Sequence, residues 1–167
     1  MWYVYQTIIP VHKYLSLGHF WRDIVGYKAG AGFIVCREFK DGIRYLGLKG
    51  PKYLRETRLG TWDIPKGQKD PGESDWECAQ RETVEEAGIF IIESDCIAGP
   101  FSISSLVVYL VKADIDPIIT PNPVTGIIEH DGWAWLTGEE LENNCYQWLK
   151  PFVGWARDNF QSNGRLL

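Results

Sequence analysis

Apolar and polar positions change period several times along this chain, and each change marks an element. Trp2 to Ile9 alternate loosely and carry β-branched and aromatic types, a strand pattern that Pro10 ends. From Lys28 the run Ala-Gly-Ala-Gly-Phe-Ile-Val-Cys predicts a strand whose small residues admit close backbone approach. Asp41-Gly42 then marks a hairpin into a second strand, Ile43 to Lys49. Gly50 to Gly60 is polar and basic and has the composition of a surface loop, and Trp62 to Pro65 reads as a short extended piece. Ser74 with Glu77 three positions on is a capping box, so a helix starts there, runs to Ala87 and stops at Gly88, which can take the left-handed conformation. Ile89 to Glu93, Ser102 to Lys112 and Trp133 to Leu136 read as strands. Thr137 with Glu140 repeats the capping-box signal. A last helix from about Tyr146 to Phe160 places Leu149, Phe152, Val153, Ala156 and Phe160 along one stripe. Strands that bracket a central and a terminal helix predict an α+β domain layered as an α/β/α sandwich.

Composition adds limits to that picture. A chain of 167 residues with 45% apolar content can bury the core of one domain, expected over residues 1–167. Its net charge of −5, from 22 acidic and 17 basic residues, argues against coating nucleic acid by charge alone. A polyphosphate ligand then needs a cation or a local basic patch. The cysteines Cys36, Cys78, Cys96 and Cys145 lack both disulfide-framework and zinc-ligand spacing, which points to a reducing, cytoplasmic setting. The first ten residues carry no signal-peptide pattern, and no apolar run is long enough to span a bilayer, so no membrane partner is expected.

The chemistry concentrates between Gly67 and Ile89. On a helix, Glu82, Glu85 and Glu86 stand three and four apart and share neighbouring surface. Three anions within about one turn repel each other, and Mg²⁺ or Mn²⁺ removes that repulsion, because hard divalent cations take carboxylate oxygens and keep water and phosphate as their other ligands. Such a cation can neutralise a diphosphate and activate water. Gly67, lacking a Cβ, lets its carbonyl or the adjacent amide come close. A bare Glu-x-x-Glu-Glu is more often a solvated helix face.

The full segment reads Gly67-x5-Glu73-x7-Arg81-Glu82-Thr83-Val84-Glu85-Glu86-Ala87-Gly88-Ile89 and resembles the signature of the Nudix hydrolases, G-x5-E-x7-R-E-U-x-E-E-x-G-U with U aliphatic. All the fixed positions match. At average residue usage the chance of that is on the order of one in 10⁸ per starting point, so the signal is strong. Thr83 departs from the pattern, standing where an aliphatic residue is usual, and its methyl can still face the sheet. The resemblance implies a Nudix fold with a central mixed sheet, a catalytic loop and helix, and a C-terminal helix. It implies Glu82, Glu85 and Glu86 as metal ligands, helped by the Gly67 carbonyl. Arg81 and Glu73 belong to the same set of catalytic positions and read as framework, an ion pair or hydrogen bond fixing loop to helix. The base that takes the proton from water comes from the signature glutamates or from a distal loop acid, here Glu129, for which plain solvation is the alternative.

The resemblance extends from about Lys28 to Leu141 and narrows the group. Trp62-Asp63-Ile64-Pro65-Lys66-Gly67, Arg81-Glu82-Thr83-Val84-Glu85-Glu86-Ala87-Gly88 and Glu129-His130-Asp131-Gly132-Trp133-Ala134-Trp135-Leu136 are similar to segments of diadenosine tetraphosphate hydrolases. Asymmetric cleavage of that dinucleotide to ATP and AMP is the implied reaction. The lysine that often opens the central strand in this group is replaced by Ser104 and Ser105. Tyr109 sits in a position that resembles that of the group's base-stacking tyrosine, the alternative being an ordinary strand tyrosine packed under the terminal helix. Lys66 can reach a phosphate as a point charge. Lys49, Lys52, Arg55 and Arg58 can extend it into a polyphosphate strip, or simply form a solvated loop. RNA 5′-end pyrophosphohydrolysis, diphosphoinositol phosphate hydrolysis and a catalytically silent nucleotide-sensing module are the other readings.

Overall fold

A computed structural model describes residues 29–52 and 60–163 of the chain. The expected strand at Trp2–Ile9 and the basic residues Arg55 and Arg58 lie outside the described residues. β1 (Gly30–Phe39) turns at Asp41-Gly42 into β2 (Gly42–Lys49), with Gly42 at φ 126° as the hairpin requires. β3 (Trp62–Asp63) and β4 (Lys66–Gln68) follow, then α1 (Asp75–Ala87), β5 (Cys96–Ile103) and β6 (Leu106–Lys112). β7 (Gly132–Leu136), α2 (Gly138–Asn144) and α3 (Lys150–Asn163) complete the order.

The sheet runs β3-β2-β1-β6-β5, with β4 added to β1 and β7 to β2. It is mixed: β1 and β6 are parallel over Gly30–Cys36 and Leu106–Lys112, while the remaining pairs are antiparallel. β1 sits in the middle and is apolar on both faces, the continuous run expected of a strand covered twice. Ala31, Phe33 and Val35 meet α1 through Cys78, Ala79 and Ala87. Ile34 and Cys36 point the other way, into a cluster with Leu141, Leu149, Phe152, Val153 and Ala156. The α/β/α layering read from the sequence is the observed fold.

Three expected elements differ. Ile89 to Glu93 form no strand. Ile89 and Ile91 are buried and Phe90 is exposed, so the alternation is real. The segment runs back along α1, where Ile91 N–H donates to Gln80 Oε1 at 3.0 Å, and then enters a 3-10 turn at Glu93–Asp95. Ser102 to Lys112 are two strands joined at Ser104-Ser105, where Ser104 takes φ 54°. A serine turn lacks the Asn-Gly or Gly signature that announces a hairpin. The terminal helix begins at Lys150, after a 3-10 turn at Gln147–Leu149. Its expected stripe is buried from Leu149 through Ala156, and Phe101 of β5 stacks on Trp155 with centroids 5.0 Å apart.

Candidate active site

α1 starts where its cap dictates. Ser74 Oγ accepts from Glu77 N–H at 3.2 Å, and Glu77 Oε2 accepts from Ser74 N–H at 2.8 Å. Gly88 closes the helix at φ 67° with its N–H on the last carbonyls. Thr83 is fully buried at the aliphatic position, and its hydroxyl donates to Ala79 O at 2.7 Å. That bond one turn back is what lets a polar residue take an apolar place.

Arg81 ties the preceding loop to the helix. Its guanidinium donates to both Glu73 oxygens, from Nε at 2.8 Å and Nη2 at 3.0 Å, and to Gln68 O at 2.8 Å. Nη1 reaches Glu82 Oε1 at 2.7 Å, and Glu85 Oε1 lies 3.6 Å away. A planar donor fork meeting a carboxylate in two bonds is geometrically specific as well as strong. The Arg81 guanidinium holds the Glu73 carboxyl below the usual range.

Gly67 leaves space for the Glu82 carboxylate. A Cβ placed there would lie 2.1 Å from the Glu82 carboxyl carbon, so a larger residue would displace that carboxylate from its place beside β4. The Gly67 carbonyl accepts from the Cys78 thiol at 3.5 Å. Glu86 is buried, takes the backbone N–H of Lys66 at 3.1 Å, and stands 3.4 Å from His130 Nε2. Burial raises its carboxyl against the lowering effect of His130 and Lys66. Burial also pushes Glu82 up to about 7, with Arg81 opposing and Glu86 and Glu85 adding to the rise. From the distal loop, Asn122 Nδ2 donates to Glu129 Oε1 at 3.1 Å and to Glu85 Oε2 at 3.3 Å, so Glu129 is brought to the helix.

The Lys66 side chain makes its ion pair outside the signature. Its Nζ pairs with the buried Asp63 at 2.6 Å and lies 5.1 Å from the centroid of the Trp148 ring. Burial disfavours its charge, yet Asp63 and Glu86 outweigh that and raise its pKa. Lys66 and Gly67 also line a cavity of about 280 Å³ with Gln68, Ile103, Ser104, Leu106, Trp148 and Phe152. Tyr109 is not part of it. It faces α1, with Trp76 and Phe33 at centroid distances of 5.1 and 6.0 Å, rather than lying beneath the terminal helix. Lys52 is exposed beyond the end of β2.

The donor set suits a hard divalent cation. Crowding and burial raise two of the three signature carboxylates, and a nearby positive charge relieves both. Among the described residues no three acidic, histidine or cysteine groups converge on one point. Arg81 and Asn122 hold Glu82 and Glu85 by hydrogen bonds, and His130 lies 3.4 Å from Glu86 with neither ring nitrogen hydrogen-bonded. Sequence reasoning missed Asp63, Asn122, His130, Trp148 and Phe152. Asp63 and His130 lay inside the quoted motifs and Phe152 on the apolar stripe of the terminal helix; Asn122 and Trp148 carry no local pattern.

With this geometry in place, comparison with known proteins assigns the class. Residues 26–156 match the NUDIX domain, and the chain belongs to that family. It is a pyrophosphohydrolase, a hydrolase acting on acid anhydrides, and enzymes of this family generally use divalent metals. It is 32% identical over 117 residues to the asymmetrical bis(5′-nucleosyl)-tetraphosphatase of Caenorhabditis elegans, covering 68% of this chain and 79% of that one. Over 73 residues it is 32% identical to an RNA pyrophosphohydrolase of Rhodopseudomonas palustris (strain BisB18), covering 42% of this chain and 39% of that one. A crystal structure of a C. elegans Ap4A hydrolase binary complex superposes with TM-score 0.59 at 25% identity, over 80% of this chain and 98% of that one. Among the described residues no helix is long and apolar enough to cross a membrane.

Proposed function

We propose that the chain is a Mg²⁺-dependent hydrolase of dinucleoside tetraphosphates, cleaving diadenosine tetraphosphate asymmetrically to ATP and AMP. The observation that carries this reading is a shared wall. Gly67 stands against the Glu82 carboxylate and also lines the aromatic cavity, with Lys66 beside it. A nucleotide has the same polarity, an anionic polyphosphate joined to a flat apolar base. Trp148 and Phe152 offer the base a surface for stacking, and Ser104 and Ser105 offer hydroxyls at the rim. The similarity to the tetraphosphatase and to the Ap4A hydrolase complex supports the same substrate class.

In this reading Glu82, Glu85, Glu86 and the Gly67 carbonyl would hold the cation, and a divalent ion bound there would supply charge neutralisation for the diphosphate. Arg81 and Glu73 hold the loop and helix in register. Lys66, its charge paired with Asp63, has ammonium hydrogens left to donate to a phosphate oxygen at the cavity wall. Glu129 accepts a proton from the attacking water, whose oxygen bonds to phosphorus as the anhydride P–O bond breaks. The leaving phosphate departs as an anion, so no strong acid is required.

The test is product analysis by anion exchange after incubation with Mg²⁺ and a panel of diadenosine tetraphosphate, 5′-triphosphorylated RNA, ADP-ribose and a diphosphoinositol phosphate. ATP and AMP appearing in equal amounts, fastest from the dinucleotide, is the expected result. Faster release of pyrophosphate from the RNA would replace this reading with 5′-end processing, which the similarity to the RNA enzyme keeps as the second one.

A further inference from the structure

Asn122, in the loop between β6 and β7, lies outside the acidic signature and is nonetheless built into the site. It stands half-buried between Pro121 and Pro123 with all its hydrogen-bonding groups engaged. Its backbone N–H donates to Ile127 O at 2.8 Å, and its carbonyl accepts from Gly126 N–H at 2.8 Å. Oδ1 accepts from the N–H groups of Val124 at 2.9 Å and Thr125 at 3.0 Å. Nδ2 faces the carboxylates of Glu85 and Glu129. The surroundings fix which end is which. Turned over, the amide would set NH₂ against two backbone donors and its oxygen against two anions.

The loop is pinned on both sides of this residue. Ile118 N–H donates to Ala87 O at 2.9 Å, and His130 is buried 3.4 Å from Glu86 Oε2. Between these anchors two carboxylates, one from α1 and one from the loop, come within reach of a single nitrogen. Without a donor between them they repel, and the exposed Glu129 would turn to solvent. We propose that Asn122 is a positioning residue for the hydrolysis: its side-chain amide holds Glu129 beside Glu85 and thereby sets where the distal carboxylate stands. This rests on the role given to Glu129 above.

Two substitutions separate positioning from turn stability. Asn122→Asp keeps an oxygen for Val124 and Thr125 but replaces the donor with a further anion. Asn122→Ser keeps a hydroxyl for the turn and is too short to reach the carboxylates. In steady-state assays of the full chain with Mg²⁺ and the panel substrate it turns over, each variant should lose about 10–100-fold in kcat, as outer-shell partners do. KM should stay within about twofold. Melting temperatures should stay close to wild type, because the turn survives. Either substitution combined with Glu129→Gln should be no slower than Glu129→Gln alone, since the amide acts through that carboxylate.

Wild-type kcat in both Asn122 variants, or independent effects of Asn122 and Glu129, overturns the proposal. Glu86→Gln in the same assay keeps the two levels apart. If it is inactive while the Asn122 variants are normal, only the positioning role falls. If Glu86→Gln retains its rate, the assignment of the site falls first, and if Glu129→Gln retains its rate, both the base and its positioning residue fall.

Discussion

The two faces of the sheet handle polar groups in opposite ways. On the α1 face, charges are set against charges. Arg81 is gripped by Glu73 and Glu82, Glu86 is buried against the Lys66 amide and His130, and the Glu82 carboxylate fills the space where a Gly67 side chain would stand. On the α3 face the surroundings are aromatic: Trp148 and Phe152 line a cavity, and Asp63 and Lys66 neutralise each other at its edge. The first arrangement is stiff because each carboxylate has a fixed partner and burial makes an unpaired one costly. The second offers area and stacking, which tolerate changes of ligand. Under the proposed function the difference amounts to a division of labour, in which the α1 face would set the rate and the α3 face the affinity.

The strongest attack on that division is Glu86→Gln. It keeps the shape and removes a charge worth several kcal/mol toward the transition state, so kcat should fall on the order of 10³-fold or more. Circular dichroism should show the fold intact, because neutralising a buried carboxylate also removes its desolvation cost. A near wild-type rate would mean that the acidic face is not the reaction centre.

Trp148→Ala tests the other face. Stacking is worth about 1–3 kcal/mol per base, so KM should rise roughly tenfold with kcat little changed. Tyr109→Leu is its control: it removes the ring that packs on Trp76 under α1, and KM should not move. The reverse pattern would return the base to the α1 side and dissolve the contrast between the faces.

The smallest effect concerns stability and pH. Glu73 is held below its ordinary value of 4.5 by Arg81, so its contribution is complete above that value and is lost as pH falls through the lowered native value. Glu73→Gln should destabilise by about 1 kcal/mol near neutrality. In denaturant titrations the gap between the two proteins should close at acid pH and stay constant above it. A gap that instead widened on acidification would show that Glu73 is not the partner that fixes Arg81.

Much of the α1 face was legible in the sequence because its determinants are local. Ser74, Glu77 and Gly88 bound the helix by caps a few residues apart, and Glu82, Glu85 and Glu86 share a face by helical spacing alone. The α3 face was legible only as an apolar stripe. Its cavity joins β4, the β5–β6 turn and the start of α3, segments far apart in the chain whose meeting no local pattern records. The strand expected at Ile89–Glu93 shows the same limit, since alternation reports which side chains are buried and not what lies beside the backbone.

Tyr109 and Asn122 mark the boundary. Position along β6 gave Tyr109 a place on a strand, but whether that strand face meets α1 or the cavity depends on the sheet's register with β1, where Tyr109 pairs with Phe33. Asn122 sits in a loop whose composition predicts only turns, and its amide acquires a task when folding brings Glu85 and Glu129 within one bond of it. The sequence by itself determined the helix, its caps and the acidic triad, all set by interactions within about four residues, and the family, read from the spacing of one segment, Gly67 to Ile89. The partners of each carboxylate, the aromatic cavity and the place of the distal acid were decided by tertiary structure, because they depend on distances between segments that only the packed sheet brings together.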